Sequence, residues 1–259
     1  MQLDLNGKTA LVTGASKGIG EAIAHVLAAE GCHLHLAARN APAMLATKHL
    51  LEAKYDVRVQ VHALDLSSVE AMEALQERAG DLDILVNNAG DIPAGSIEIV
   101  DDVAWRQGFD LKVFGYITLA RAFYRRRKGK DGVIVNVIGN SGENWDAGYI
   151  AGSTGNAALM AFTKALGGAS LNDGIRVVGI NPGPVATDRM VKIMKRKSID
   201  MLGDEARWQE LFDKYPGKRP ATAEEVADLV AFMASPRAGY ITGTIVTIDG
   251  GIASRGSVI

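Results

Sequence analysis

Cysteine is nearly absent from this chain of 259 residues, where Cys32 stands alone. A single thiol can neither close a disulfide within the chain nor supply a cysteine zinc site, and such scarcity suits a reducing compartment. Aromatic residues make up only 6%. No apolar run approaches the ~20 residues that cross a bilayer, and the opening MQLDLNGK lacks the charged and apolar regions of a signal peptide. Neither sign of charge is in excess: 28 Lys and Arg face 30 Asp and Glu, for a net charge of −2. Nucleic acid and anionic membranes both attract a basic surplus, so neither is expected as a partner, and a cytoplasmic protein is expected.

What is present is a chain with 47% hydrophobic and 22% charged residues, enough to bury a core without staples. Short aliphatic or β-branched runs at 8–13, 32–37, 57–64, 83–87, 132–138, 175–181 and 243–249 read as seven strands. Several are apolar throughout, as strands covered on both faces are. Amphipathic stretches near 18–30, 41–54, 67–79, 100–124, 153–171 and 222–235 lie between them, which makes repeated βαβ units. No linker, repeat or composition shift marks a second domain, so residues 1–259 are read as one doubly wound α/β domain. The segment 188–216, with Arg189, Lys192, Lys195, Arg196 and Lys197 among Met190, Ile193, Met194 and Leu202, is read either as a substrate lid or as a solvated surface helix.

Between the first strand and first helix stands Thr13-Gly14-Ala15-Ser16-Lys17-Gly18-Ile19-Gly20. Glycines at this spacing allow a tight turn, close approach of backbone to a pyrophosphate, and phosphate binding at the helix N-terminus. The second strand ends Ala37-Ala38-Arg39 with no carboxylate to accept the ribose hydroxyls of NAD. Arg39, with Lys17 nearby in the loop, suits the 2′-phosphate of NADP(H).

Asn87-Asn88-Ala89-Gly90 follows the fourth strand and Asn181-Pro182-Gly183-Pro184-Val185-Ala186-Thr187-Asp188 the sixth; Asp65-Leu66 and Ile248-Asp249-Gly250-Gly251 complete the pattern. With these motifs in this order the chain resembles the short-chain dehydrogenase/reductases nearly end to end. The resemblance implies a Rossmann-type parallel sheet of order 3-2-1-4-5-6-7 and oxidoreduction of a carbonyl or alcohol. It implies that Asp65 and Leu66 border the adenine and that Asn88, Ala89 and Gly90 lie along the adenosine. It further implies that Pro182, Gly183, Val185 and Thr187 cover the nicotinamide and pyrophosphate, and that the protein is a homodimer or homotetramer. The nearly uncharged stretch 153–169, broken only by Lys164, agrees with burial against a second copy.

The family works with a Ser, a Tyr, a Lys four residues later and an Asn on the preceding long helix. Matching the helix 156–166 (NAALMAFTKAL) puts Asn156 at the Lys position and Gly152 at the Tyr position; Gly139 then falls at the Ser position and Lys112 at the Asn position. A register that makes Tyr149 the family Tyr puts Ser153 where Lys should stand and needs three extra residues inside a helix, so it is not adopted. Tyr149 lies three residues before Gly152 and on the same helix face if the helix extends that far. The expected site is therefore a relocated one, with Tyr149 as proton donor, Lys112 as its electrostatic partner, and Ser141, Asn140 or Asn156 as orienting groups. The rival readings are a catalytically silent NADP-binding sensor and an enzyme of non-redox chemistry on the same fold. His25, His33, His35, His49 and His62 show no metal spacing, and no metal is expected. The basic run Arg125 to Lys130 is read as a solvated helix terminus, and Trp145 as a pocket-lining or loop-anchoring residue.

Overall fold

Runs of Val, Ile and Leu with no polar side become strands here because helices cover them from both sides. In the computed structural model, which describes residues 2–255, the strands are β1 (Thr9–Thr13), β2 (His33–Ala38), β3 (Val59–Ala63), β4 (Ile84–Asn87), β5 (Gly132–Val137), β6 (Ile175–Pro182) and β7 (Thr244–Ile248). They form one sheet in the order β3-β2-β1-β4-β5-β6-β7, every pair parallel. Helices α1 (Gly18–Ala29), α2 (Ala41–Lys54) and α8 (Ala223–Ala234) bury one apolar face against it. Helices α3 (Val69–Ala79), α5 (Gly115–Arg127) and α6 (Ile150–Ser170) cover the other. The expected strands, their order and the first helices are all found.

Two expected helices differ. The stretch 100–124 is not one helix but α4 (Asp102–Phe109) and α5 joined by a π-helical turn, Asp110–Phe114. Such a turn inserts one residue and re-aims the side chains around it, Lys112 among them. Helix α6 begins at Ile150, with Tyr149 as its N-cap in a non-helical conformation (φ −136°, ψ 45°). The segment 188–216 folds into α7 (Asp188–Leu202) and a tightly wound stretch, Glu205–Lys214, held by the ring contacts Trp208–Phe212 and Phe212–Tyr215. The side chain of Arg189 lies outside the described residues.

Polar groups lock these layers in register. A buried chain runs from Asn87 Nδ2 to Asn136 Oδ1 (2.9 Å), from Asn136 Nδ2 to Thr163 Oγ1 (2.9 Å), and from there to the Leu159 carbonyl (2.7 Å). It ties β4 and β5 to α6. The buried Arg176 donates to the Met233, Ala234 and Ser235 carbonyls and so caps the C-terminus of α8 from β6. The basic run at the C-terminal end of α5 is not simply solvated: Arg127 pairs with Asp81 and Asp83, Lys128 with Asp173 and Lys130 with Asp81. Arg126 donates to the Gln76 and Gly80 carbonyls, the end of α3. These cations are absorbed as a clamp because the acidic groups they meet come from distant parts of the chain.

His35 and His62, which the sequence left unconnected, meet on β2 and β3. Their rings stack 9° from parallel, with Nδ1 of His35 2.9 Å from Nε2 of His62. Burial pushes the His35 imidazole down to about 4 and also lowers His62, with the His62 ring and Arg78 respectively adding to the effect. Unfolding returns each ring to about 6.5, so the unfolded chain binds protons that the fold rejects. Stability is complete above about pH 6.5 and is expected to fall below it by up to about 1.4 kcal/mol per pH unit for each ring. Urea unfolding at pH 7, 6 and 5 reads this slope; an identical slope in the double variant His35→Gln/His62→Gln would place the loss elsewhere.

Candidate functional site

The loops that follow the C-terminal ends of the parallel strands lie along one edge of the sheet and form the candidate groove. Its first part is the turn from β1 into α1. Gly14 and Gly18 have φ of +66° and +60°, a region that glycine enters without strain. A Cβ at Gly20 would lie 2.3 Å from the Gly14 carbonyl oxygen, so only glycine permits α1 to start this close to the turn. Thr13 Oγ1 accepts from the backbone N–H of Asn88 (2.8 Å) and Ala89 (3.0 Å), while Asn88 Nδ2 donates to the Thr13 carbonyl (2.9 Å). The loops after β1 and β4 are thereby joined.

Helices α2, α3, α4, α7 and α8 are each capped by a side chain, from Asn40, Ser68, Asp101, Thr187 and Thr222. Helix α1 is not: its N-cap is Lys17, in extended conformation, with no side-chain cap. Its first N–H groups thus remain for an anion, with Ser16 and Ile19 in the same turn. Lys17 and Arg39 are exposed beside this end, and Arg39 NH2 lies 3.9 Å from Asp91. Asp65 accepts from the Ser67 N–H and hydroxyl; those bonds, with Arg39 adding less, hold its carboxyl below the usual range. Leu66 and Ala89 are buried behind them. At the other end, Val185 bridges to Ala221, Gly183 N–H donates to the Ile248 carbonyl, and the Thr187 methyl stands 3.2 Å from where a Gly18 Cβ would be. The glycine turn, Arg39, Asp65 with Leu66, and the loops after β4 and β6 thus all follow the C-terminal ends of their strands, along one edge of the sheet.

The second part lies where α6, the β5 end and the π turn converge. Lys112 runs past Gly90, where a Cβ would lie 2.9 Å from its Cδ, and its ammonium donates to the Ile138 carbonyl at 2.5 Å. The next residue, Gly139, has φ +130° and would place a Cβ 2.8 Å from Asn156 Nδ2. Asn156 is buried on α6 and donates to Ser141 Oγ at 2.7 Å. One helical turn earlier, the Tyr149 ring lies over Gly152: a Cβ there would be 2.0 Å from Cε1 and 2.1 Å from Cζ. This proximity comes from the non-helical cap conformation of Tyr149 and from the Gly95–Tyr149 bridge, not from spacing within a helix. Asn140 donates one of its amide N–H groups to Asp249 Oδ2 (3.2 Å), which ties the loop after β5 to the loop after β7.

Several supports were not legible in the sequence. Asp249 also accepts from the N–H groups of Gly251, Ile252 and Ala253, so it fixes the loop after β7. Glu143 accepts from Asn181 (3.0 Å) and from Thr247, joining the loop after β5 to β6 and β7. Trp145 is exposed, yet its indole N–H is held by the Gly142 carbonyl (3.0 Å). Only chain order after a β-strand hinted at these residues; their partners lie up to 109 positions away. Among the described residues there is no group of three His, Cys, Asp or Glu that could hold a metal, and no helix long and apolar enough to cross a membrane.

Residues 14–253 match a family model described as enoyl-(acyl carrier protein) reductase. The chain is 33% identical over 250 residues to galactitol 2-dehydrogenase (L-tagatose-forming) of Cereibacter sphaeroides, covering 95% of each. It is 33% identical over 255 residues to the 3-oxoacyl-[acyl-carrier-protein] reductase FabG of Escherichia coli (strain K12), covering 96% of this chain and 99% of that one. The crystal structure of L-sorbose reductase from Gluconobacter frateurii, complexed with NADPH and L-sorbose, superposes with a TM-score of 0.91 at 33% identity, covering 99% of this chain and all of that one. With the sheet order, the glycine turn and the loops after β4 and β6 in place, these likenesses make the chain a member of the short-chain dehydrogenase/reductase family.

Proposed function

We propose that this chain interconverts a small carbonyl compound and its alcohol with NADP(H), using Tyr149, Lys112 and Ser141 in place of the family's usual set. The observation that carries the reading is the Tyr149 ring filling the volume that a side chain at 152 would take. Absent residues at Gly139 and Gly152 are thus matched by Asn156 and Tyr149 moving into their space, which is unlike a random loss of a site.

The groove fits the cofactor: the uncapped α1 terminus and the close Gly14–Gly20 approach suit a pyrophosphate, and Lys17 and Arg39 suit a 2′-phosphate. Bound there, NADPH supplies the hydride. Pro182, Gly183, Val185 and Thr187 would flank its nicotinamide end. Ser141 Oγ then holds the substrate oxygen, and the Tyr149 hydroxyl delivers a proton to it. The Lys112 ammonium, fixed by the Ile138 carbonyl, favours the phenolate left behind. In the oxidative direction the same groups take the proton back. We assign the segment 188–216 as a lid over the substrate end. We further assign an oligomer in the cytoplasm, with the exposed face of α6 (Thr154, Ala158, Ala161, Ala165, Ala169) against a second copy.

Arg39 meets Asp91 only through a loose, exposed ion pair at 3.9 Å, which leaves most of its guanidinium N–H groups for a phosphate. We expect Arg39→Asp to cost about 1.5–3 kcal/mol of NADPH binding with little effect on NADH; fluorescence titration reads both, and equal affinities in the parent protein would defeat the assignment.

Tyr149→Phe and Lys112→Met should each lower turnover by about 10²–10⁴-fold on whichever carbonyl of a ketose and ketone panel is reduced fastest, while Tyr149→Phe retains NADPH binding. Near-parental turnover in Tyr149→Phe would remove it as the acid.

Restoring the usual residues is expected to fail as a simple repair. Gly139→Ser meets a φ of +130° and Gly152→Tyr must expel the Tyr149 ring. We expect Gly152→Tyr alone to lower the thermal midpoint by several degrees, and Tyr149→Ala beside it to recover part of that loss. Gly152→Tyr with the parental midpoint would mean that the ring does not occupy this space.

A further inference from the structure

The proposed site leaves one question of direction: a serine hydroxyl both gives and accepts hydrogen bonds, and only the giving form polarises a carbonyl. The surroundings of Ser141 settle which way it faces. It is the middle residue of a 3-10 turn, Asn140–Gly142, pinned at both ends. On one side the Asn140 amide is tied to Asp249. On the other, Gly142 presses so closely on α6 that a Cβ would lie 2.9 Å from the Ala157 nitrogen and 2.6 Å from the Met160 sulfur. Little freedom is left for Ser141 to turn away.

The neighbour on α6 is Asn156, 2% exposed, whose Nδ2 lies 2.7 Å from Ser141 Oγ. Its Oδ1 is buried with no protein partner. Reversing the amide would bury an unpartnered NH₂, which costs more than an unpartnered carbonyl oxygen because two donors are stranded. The amide therefore donates, and Ser141 accepts. Among the described residues no protein acceptor takes the Ser141 proton in return. That proton is available to a substrate oxygen.

Resting on the reading that Ser141 meets the substrate, we infer that Asn156 is a positioning residue: by donating to Ser141 Oγ it fills the hydroxyl's acceptor side and commits its proton to the substrate carbonyl. Asn156 does not touch the reacting atoms and moves no proton. Its place on α6 is set in turn by the Asn87–Asn136–Thr163 chain, which anchors the helix two turns further on. Gly139 belongs to the same device, since a side chain there would collide with the Asn156 amide.

The test is a double-mutant cycle with Ser141→Ala, Asn156→Leu and the double variant, read by NADPH-dependent reduction of L-sorbose, cyclohexanone and ethyl acetoacetate. Each single variant is expected to lose about 10–100-fold in kcat/KM, and the double variant to lose no more than Ser141→Ala alone. Asn156→Asp, whose carboxylate would accept the Ser141 proton, should be at least as impaired as Asn156→Leu at pH 8, although it is the closer isostere. A merely structural residue would give the opposite order and losses that multiply; either result overturns the inference. Urea midpoints of the same proteins read the pair without any substrate, and additive midpoints would show that the bond is absent and remove the inference too. Tyr149→Phe is measured in parallel. If it stays active while the cycle is coupled, the assignment of the acid falls and the role of Asn156 stands; if nothing on the panel is reduced, both fall.

Discussion

The constraint on which the groove depends is the contact between the β1–α1 turn and the loop after β4. Thr13 gives both lone pairs of its hydroxyl to the Asn88 and Ala89 backbone, and Asn88 returns its amide to the Thr13 carbonyl. Gly20 has to lack a side chain for this to close, because a Cβ there would overlap both the Gly14 carbonyl and the Asn88 amide. Parallel strands cannot be joined by a tight hairpin, so the loops at their ends lead into separate crossovers and diverge unless something holds them together. Here that hold is a threonine, an asparagine and a missing methyl group, and it leaves the uncapped end of α1 facing the groove.

The same economy of missing atoms governs the region around Lys112, Asn156 and Tyr149. Gly90 makes room for the Lys112 side chain, Gly139 for the Asn156 amide, and Gly152 for the Tyr149 ring. In each case a glycine is paired with a large polar side chain, from another element for Gly90 and Gly139 and from the cap of the same helix for Gly152. Close packing explains why such exchanges come in pairs: an interior with few voids does not tolerate deletion of a side chain unless a neighbour fills the space. The π turn contributes by re-aiming Lys112, and the non-helical cap of α6 contributes by laying Tyr149 back over its own helix.

Charge is distributed on a different logic. Most of the basic run at the C-terminal end of α5 binds Asp81, Asp83, Asp173 and the end of α3, with Asp81 and Asp83 just before the N-terminal end of β4, and Arg176 binds the end of α8. Near the groove, Lys17 and Arg39 stay exposed, where a multiply charged ligand can reach them. A cation already fixed by several protein acceptors gains little from another anion, which is why the exposed pair and not the clustered one suits a phosphate.

Strands, helices, sheet order and the phosphate-binding turn were legible in the sequence, because apolar runs, amphipathic periods and glycine spacing are local signals and the loop motifs occur in a fixed order. The position of Arg39, exposed just after the second strand, was legible too, since motif spacing identifies the end of that strand. What the sequence could not supply was the pairing of residues distant in the chain: His35 with His62, Arg176 with the end of α8, Asn140 with Asp249, Glu143 with Asn181 and Thr247. Nor could it place Tyr149, whose nearness to Gly152 was anticipated from helical spacing but arises from a cap conformation that is not helical at all. Side-chain direction follows from backbone conformation and from what fills the space around it, and both exist only once the layers have packed.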